Sequence, residues 1–290
     1  MSELKTWTAS EKERTRFGKV YVEITNRCNL HCSFCHGTAR PERDMSPEEF
    51  SLCLGRLQGY TKRVCLHVMG EPLFHPQLEH ILSIAAEKRM TLNVTTNGTL
   101  LYEKGMALLS CPAVERVNIS LHSFEANGFC SDPVRYADSC FDFALKSDRV
   151  IICFRLWNRG GKDEMNEKIL ERMHRFFPGV WKETRKGFRL MERVYLEYAS
   201  LFEWPDPSGN EYPGDCFCYG LRDQCAVLSD GTVTPCCLDA EGSIRLGNLF
   251  IQEMEEILDS KRAVNLYEGF SRREAREELC RHCDYKQRYR

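Results

Sequence analysis

No stretch of this 290-residue chain approaches the roughly 18 uncharged apolar residues that a membrane-spanning helix needs. The opening MSELKTWTASEKERTRFGK has no apolar core of a secretory leader, so the expected location is cytoplasmic, in a reducing compartment. Charge of one sign is also missing. With 40 Lys+Arg against 42 Asp+Glu the net charge is −2, which disfavours a bulk binder of nucleic acid or anionic membrane. Neither an internal repeat nor a low-complexity segment is present.

Against these absences stands an excess of cysteine, 16 in all. In a cytosolic chain such thiols are metal ligands or redox groups rather than a disulfide framework. Hydrophobic residues at 42% and charged residues at 28% suit a folded chain, and the length allows one large domain or one of about 200 residues plus a small one.

Short β-branched runs alternate with amphipathic stretches over the first two thirds, the sequence form of repeated strand–helix units. Strands are expected at Val20 to Thr25, Arg63 to Met69, Thr91 to Thr95, Val114 to Leu121, Val150 to Trp157 and Val194 to Ala199. Helices start near Ser46-Pro47, Pro76, Tyr102, Pro133 and Asp163. Ser46-Pro47-Glu48-Glu49 combines a cap, proline at the first helical position and glutamate three residues on. Six units fall short of the eight of a closed barrel, so the expected α/β fold is a partial, open (β/α)6 barrel whose active face lies at the carboxyl ends of the strands.

From Glu203 to Gly214 three prolines and two glycines in twelve residues read as a linker. The expected division is an N-terminal extension (1–17), the barrel (18–202), the linker (203–215) and a small C-terminal α/β unit (216–290). In the last unit Asp230-Gly231 marks a hairpin, and helices are expected at Ile251 to Asp259 and Ser271 to Leu279.

Cys28-Asn-Leu-His-Cys32-Ser-Phe-Cys35 follows the first strand directly, on a loop at the active face. Three soft thiolates with no fourth nearby suit a [4Fe-4S] cluster with one iron left open for chemistry. The other reading of the same residues is a zinc knuckle or three core thiols. Zinc, however, favours four closed ligands, and core cysteines do not bunch so tightly.

With Phe34 before its last cysteine, this triplet resembles the signature of the radical SAM superfamily, and further marks fall in order on strand ends. His67-Val-Met-Gly70-Glu71-Pro72 is similar to the family's glycine-glycine-glutamate-proline motif, with Met69 in place of the first glycine. A close-approach glycine followed by a carboxylate suits the amino group of S-adenosylmethionine. By the same resemblance Asn97, ending the third strand, and Ser120, ending the fourth, contact the ribose or methionine part of that cofactor. The implied chemistry is reductive cleavage of S-adenosylmethionine and hydrogen abstraction from a substrate by the resulting 5'-deoxyadenosyl radical. It needs a one-electron reductant such as flavodoxin or ferredoxin.

Seven cysteines lie from Cys216 onward. Cys218, Cys236 eighteen residues later, Cys280 forty-four beyond that, and Cys283 have an informative spacing. With Gly231 five residues before Cys236, they look like the twitch form of the SPASM extension, implying one auxiliary [4Fe-4S] cluster on these four thiolates. A structural zinc is the alternative, because C-x2-C pairs also occur in zinc sites. Cys216, Cys225 and Cys237 lie within reach of the same loop, and any of them could replace Cys218 or serve as a thiol hydrogen donor.

On the fifth strand Cys153, Arg155 and Trp157 share one face. An arginine inside a barrel is expensive unless it meets an anion, so Arg155 is the candidate contact for a substrate or cofactor carboxylate, or a base. Pairing with Glu197 is the structural alternative, and Arg135 is a further option for the cofactor carboxylate. His67 and His122, at strand ends, suit proton transfer near neutral pH. Cys53, Cys65, Cys111, Cys130 and Cys140 read as small buried hydrophobes. The segment Ser271 to Arg290, with six Arg and one Lys, reads as a solvated face and otherwise as a local RNA surface.

Three functions follow. One is radical oxidation of a small polar molecule with the auxiliary cluster as electron acceptor. A second is radical modification or epimerisation of a peptide or RNA. The third is a non-enzymatic iron-sulfur protein.

Overall fold

The structure, a computed structural model, describes residues 16–127 and 132–289, so most of the expected N-terminal extension and Cys130 lie outside the described residues. The first two thirds run β1 (Lys19–Val22), α1 (Pro47–Leu57), β2 (Arg63–Cys65), α2 (Leu78–Glu87), β3 (Thr91–Thr96), α3 (Leu101–Ser110), β4 (Val114–Ser120), α4 (Pro133–Leu145), β5 (Ile151–Arg159) and α5 (Asn166–Phe176). A hairpin of β6 (Lys182–Thr184) and β7 (Gly187–Met191) precedes β8 (Val194–Ser200). The chain closes with β9 (Gln224–Val227), β10 (Thr232–Thr234), β11 (Gly247–Asn248), α6 (Met254–Leu258), α7 (Lys261–Ser271) and α8 (Glu278–Arg281).

β1, β2, β3, β4, β5 and β8 pair in parallel in that order, giving the six strands of a partial (β/α)6 barrel. The period of two sorts their side chains. Val20, Val64, Val94, Val117, Phe154 and Leu196 face the helices in the main core, each fully buried. Burying each such side chain contributes about 1.5–3 kcal/mol. Their alternates face the barrel interior and are largely polar, which leaves that interior available for a site.

Helix α1 begins where the sequence places it. Ser46 accepts from the Glu49 amide at 3.2 Å, and the Glu49 carboxylate accepts from the Ser46 amide at 2.9 Å. The hairpin at Asp230-Gly231 is present as β9 and β10.

Three features differ from the sequence reading. The β6–β7 hairpin adds two antiparallel strands to the edge at β8, where no strand was expected. Ser271 ends a helix instead of starting one: α7 is capped by Ser260, and the backbone turns at Arg273 with φ 63° before α8 resumes at Glu278. The segment after residue 202 is a packed strap, with Trp204 donating to the Phe34 carbonyl at 3.1 Å. The C-terminal unit also joins the barrel sheet, because β9 pairs in parallel with β1 along its whole length.

Candidate active site

The loop between β1 and α1 carries Cys28, Cys32 and Cys35 as free thiols. Each sulfur accepts a hydrogen bond from its surroundings: Cys28 from the Leu30 amide at 3.4 Å, Cys35 from the Gly37 amide at 3.4 Å, and Cys32 from the Asn127 side chain at 3.1 Å. Asn127 also accepts from the His31 amide at 2.7 Å, so one buried amide both holds the loop and polarises its central sulfur. Asn97 reaches Cys28 at 3.9 Å. Partial burial pushes the Cys28 thiol up to about 11 and raises that of Cys32, so iron entering here displaces protons. Three soft donors on a loop, each supported by N–H groups and with no fourth protein donor required, fit an open-iron [4Fe-4S] cluster.

Beside this loop Gly70 has φ +76°, and a Cβ there would stand 2.4 Å from the Thr25 carbonyl oxygen, so only glycine fits. The adjacent Glu71 is 2% exposed. Its carboxylate accepts from the Leu73 amide at 3.0 Å and the Asn97 amide at 2.7 Å, yet burial still pushes it up to about 7. Met69, where the motif has glycine, is accommodated: it is buried in an apolar cluster with Tyr21 and Cys65, and its amide donates to buried Glu23 at 3.0 Å. Phe34 lies against the His122 ring at 4.9 Å, and Ser120 pairs beside Arg155 across β4 and β5. Gly70, Glu71, Asn97, Cys28 and Cys32 are thus gathered, with Ser120 at the end of β4 and loop residue Phe34 against the neighbouring His122.

Inside the barrel Glu197 is taken by Arg116 at 2.9 Å, not by Arg155. The Arg155 guanidinium lies 4.2 Å over the Trp157 ring, and its buried Nε has no hydrogen-bond partner. His67 Nδ1, Asn93 Oδ1 and Trp157 Nε1 are likewise buried and unsatisfied. The histidines are not poised near neutrality. Burial, then the charge of Arg155, holds His67 down to about 3, and burial holds His122 down to about 4, so both are neutral hydrogen-bonding groups. Arg135 is exposed on α4.

The second thiol group lines one apolar cavity: Cys216, Cys218, Cys236, Cys280 and Cys283, walled by Pro235, Ile244, Phe270 and Leu279. Burial and mutual repulsion raise these thiols, Cys218 to about 12. Four or five soft donors around an apolar hole suit an iron-sulfur cluster. Buried Lys286, which sequence reasoning passed over, donates to the Cys280 and Arg281 carbonyls at 3.3 and 3.2 Å and puts a cation beside the thiols. Its only signal in sequence is its place three residues after Cys283.

Two cysteines leave this group. Cys225 is fully buried on the outer face of β9, near Cys53 and Arg16, so it meets neither the cavity nor the barrel interior and cannot return a hydrogen there. Cys237 packs instead against the separate apolar cluster that contains Tyr21, Cys65 and Met69. The basic tail is mostly neutralised: Arg272, Arg273, Arg276 and Arg281 pair with Glu268, Asp215, Glu274 and Glu278.

The family model of the radical SAM superfamily matches residues 22–181, and that of an iron-sulfur cluster-binding domain, SPASM, matches residues 216–284. Among curated relatives, the antilisterial bacteriocin subtilosin biosynthesis protein AlbA of Bacillus subtilis is 26% identical, over 85% of this chain and 60% of its own length. The Fe-coproporphyrin III synthase of Methanosarcina barkeri is 30% identical over 44% of this chain and 32% of its own. The chain therefore spans less than two thirds of these relatives. Among solved structures, BtrN in complex with AdoMet and 2-DOIA aligns with TM-score 0.56 at 16% identity, covering 92% of this chain and 93% of that one. Streptococcus suis SuiB aligns with TM-score 0.61 at 15% identity, covering 88% and 68%. These likenesses establish the fold. Among the described residues no helix is long and apolar enough to cross a membrane.

Proposed function

This chain belongs to the radical SAM superfamily and carries a C-terminal iron-sulfur domain, and from that premise we propose that it oxidises a small polar substrate bearing an anionic group inside the partial barrel. The observation that carries this reading is Arg155. A guanidinium whose Nε is shut away from water without a partner is costly, and an arriving anion offsets that cost. The unsatisfied atoms of His67, Asn93 and Trp157 on the same interior offer further hydrogen bonds to hydroxyl or amino groups.

When bound, the [4Fe-4S] cluster and S-adenosylmethionine supply a 5'-deoxyadenosyl radical for hydrogen abstraction, and the auxiliary [4Fe-4S] cluster supplies an electron acceptor. Cys28, Cys32 and Cys35 hold the first cluster, while Cys218, Cys236, Cys280 and Cys283 hold the second, with Lys286 offsetting its negative charge. Gly70 lets the backbone approach the cofactor's amino group, Glu71 and Asn97 orient it, and Ser120 and Phe34 border its remainder. Neutral His67 accepts or donates one hydrogen bond to the substrate without competing for its charge. A small one-electron carrier such as flavodoxin or ferredoxin completes the cycle. BtrN, nearly equal to this chain in length and described with 2-DOIA, supports a small-molecule substrate. Modification of a peptide is the second reading, favoured by the similarity to AlbA along 85% of the chain.

Anaerobic reconstitution tests the assignment of roles. The intact protein should bind about eight irons and the Cys28/Cys32/Cys35 triple alanine variant about four, with deoxyadenosine formed only by the former. Offered a pool of anionic polyhydroxylated molecules, the intact protein should give a product lighter by two hydrogens. A product of unchanged mass that carries solvent deuterium would instead support the redox-neutral alternative.

A further inference from the structure

Glu23 lies just past β1, is 0% exposed, and touches neither thiol group. Its carboxylate nevertheless joins three segments of the site. Both oxygens accept from the Arg40 guanidinium, at 2.8 and 2.7 Å, and Arg40 belongs to the loop that carries the cysteine triplet. One oxygen accepts from the Met69 amide at 3.0 Å, immediately before Gly70 and Glu71. The other accepts from the Ser229 amide at 3.1 Å, at the tip of the β9–β10 hairpin.

Arg40 completes the joint from its other side, because its Nε donates to the Ala240 carbonyl at 2.8 Å. Ser229 and Ala240 flank the segment that carries Cys236, and the Cys236 carbonyl accepts from Thr234 of β10 at 3.1 Å. A bidentate guanidinium–carboxylate pair is geometrically rigid, and when buried it tolerates little displacement of any partner. A shift of the segment bearing the auxiliary thiols therefore reaches the Met69 amide through one carboxylate.

We propose that Glu23 and Arg40 are positioning residues that couple the filling of the C-terminal thiol cavity to the grip of the Met69–Glu71 loop on S-adenosylmethionine. This rests on the reading of that loop as the cofactor-amine site. Because coupling between two sites is reciprocal, cofactor binding also favours an ordered auxiliary site.

The test is a double-mutant cycle on anaerobically reconstituted full-length protein, reading S-adenosylmethionine affinity by equilibrium dialysis and the cofactor-induced change in the first cluster's EPR spectrum. The four proteins are the intact chain, Glu23→Gln, Cys236→Ala/Cys280→Ala, and the combination. Iron content confirms that the first cluster is loaded in each. Couplings of this kind span about 5–150-fold, so Glu23→Gln and the emptied auxiliary site should each weaken affinity about tenfold, and the combination should be no weaker than either. Arg40→Lys, which keeps the charge and loses the fork, should fall between the intact protein and Glu23→Gln. It decides the question in the same cycle if Glu23→Gln does not load its first cluster. Additive losses, or full affinity with the auxiliary site emptied, would overturn the coupling. Equal affinity in the intact protein and Glu71→Gln would overturn the loop reading beneath it.

Discussion

Glu71 offers a test in which stability and binding move in opposite directions. Its carboxyl is pushed from 4.5 to about 7, chiefly by burial and against three stabilising hydrogen bonds. Because the folded value is raised, the contribution of this group to folding is fully present below pH 4.5 and is lost as pH rises toward 7. At about 1.36 kcal/mol per pH unit the loss is roughly 3 kcal/mol, a large share of the stability of an ordinary domain. Glu71→Gln cannot ionise, so the stability difference between intact protein and variant should change by most of that amount between pH 5 and pH 8, measured by denaturant unfolding of cofactor-free protein. Binding runs the other way. A cation stabilises the ionised form, so S-adenosylmethionine affinity should fall about tenfold for each pH unit below about 7 in the intact protein, while the variant binds weakly and without that slope. Parallel pH profiles for the two proteins in both assays would refute the reasoning.

Three other substitutions have defined expectations. Arg155→Met should abolish product formation while leaving S-adenosylmethionine cleavage intact, and should raise stability because a buried Nε with no hydrogen-bond partner is removed; a less stable variant that still makes product would contradict this. Asn127→Ala removes the partner of the His31 amide and of the Cys32 sulfur, and should weaken iron retention against a chelator by about 10–100-fold at the first cluster only. Gly70→Ala forces a Cβ to within 2.4 Å of the Thr25 carbonyl at φ +76°, and should cost more than about 2 kcal/mol in unfolding experiments together with most cofactor binding.

The legible parts of this protein were those set by local rules. Short β-branched runs alternating with amphipathic stretches placed all six parallel strands, and Ser46, Pro47 and Glu49 placed the start of α1. The cysteine triplet stood out by its spacing together with Phe34 and the motifs that follow on later strand ends. What stayed hidden depends on which segments meet. Nothing near Ser271 says that the helix has already run from Lys261, because Ser271 bonds back to the Tyr267 carbonyl as an ordinary last-turn serine. Cys216, Cys225 and Cys237 looked equivalent along the chain, yet the pairing of β9 with β1 sends Cys225 outward, while Cys216 lines the thiol cavity and Cys237 packs with Tyr21. The choice between the two readings of Arg155 was not legible either, since it depends on Glu197 pairing with Arg116.

The pairing of β1 with β9 also has a consequence for biogenesis. Strand β1 receives one of its two neighbours from a segment about 200 positions later in synthesis, as the contact of Gly18 with Asp223 illustrates. Until that segment has been synthesised, β1 presents an open edge, and the loop after it lacks the Ser229 and Ala240 contacts that pin Arg40 and Arg43. Contacts of such long sequence separation form late and slowly, and unpaired edges are prone to aggregate in the interval. Iron delivered during synthesis would thus meet a triplet loop still waiting for its frame. Slow production at low temperature, with iron and sulfide supplied until translation is complete, should give a more fully loaded protein than rapid synthesis followed by a brief iron pulse.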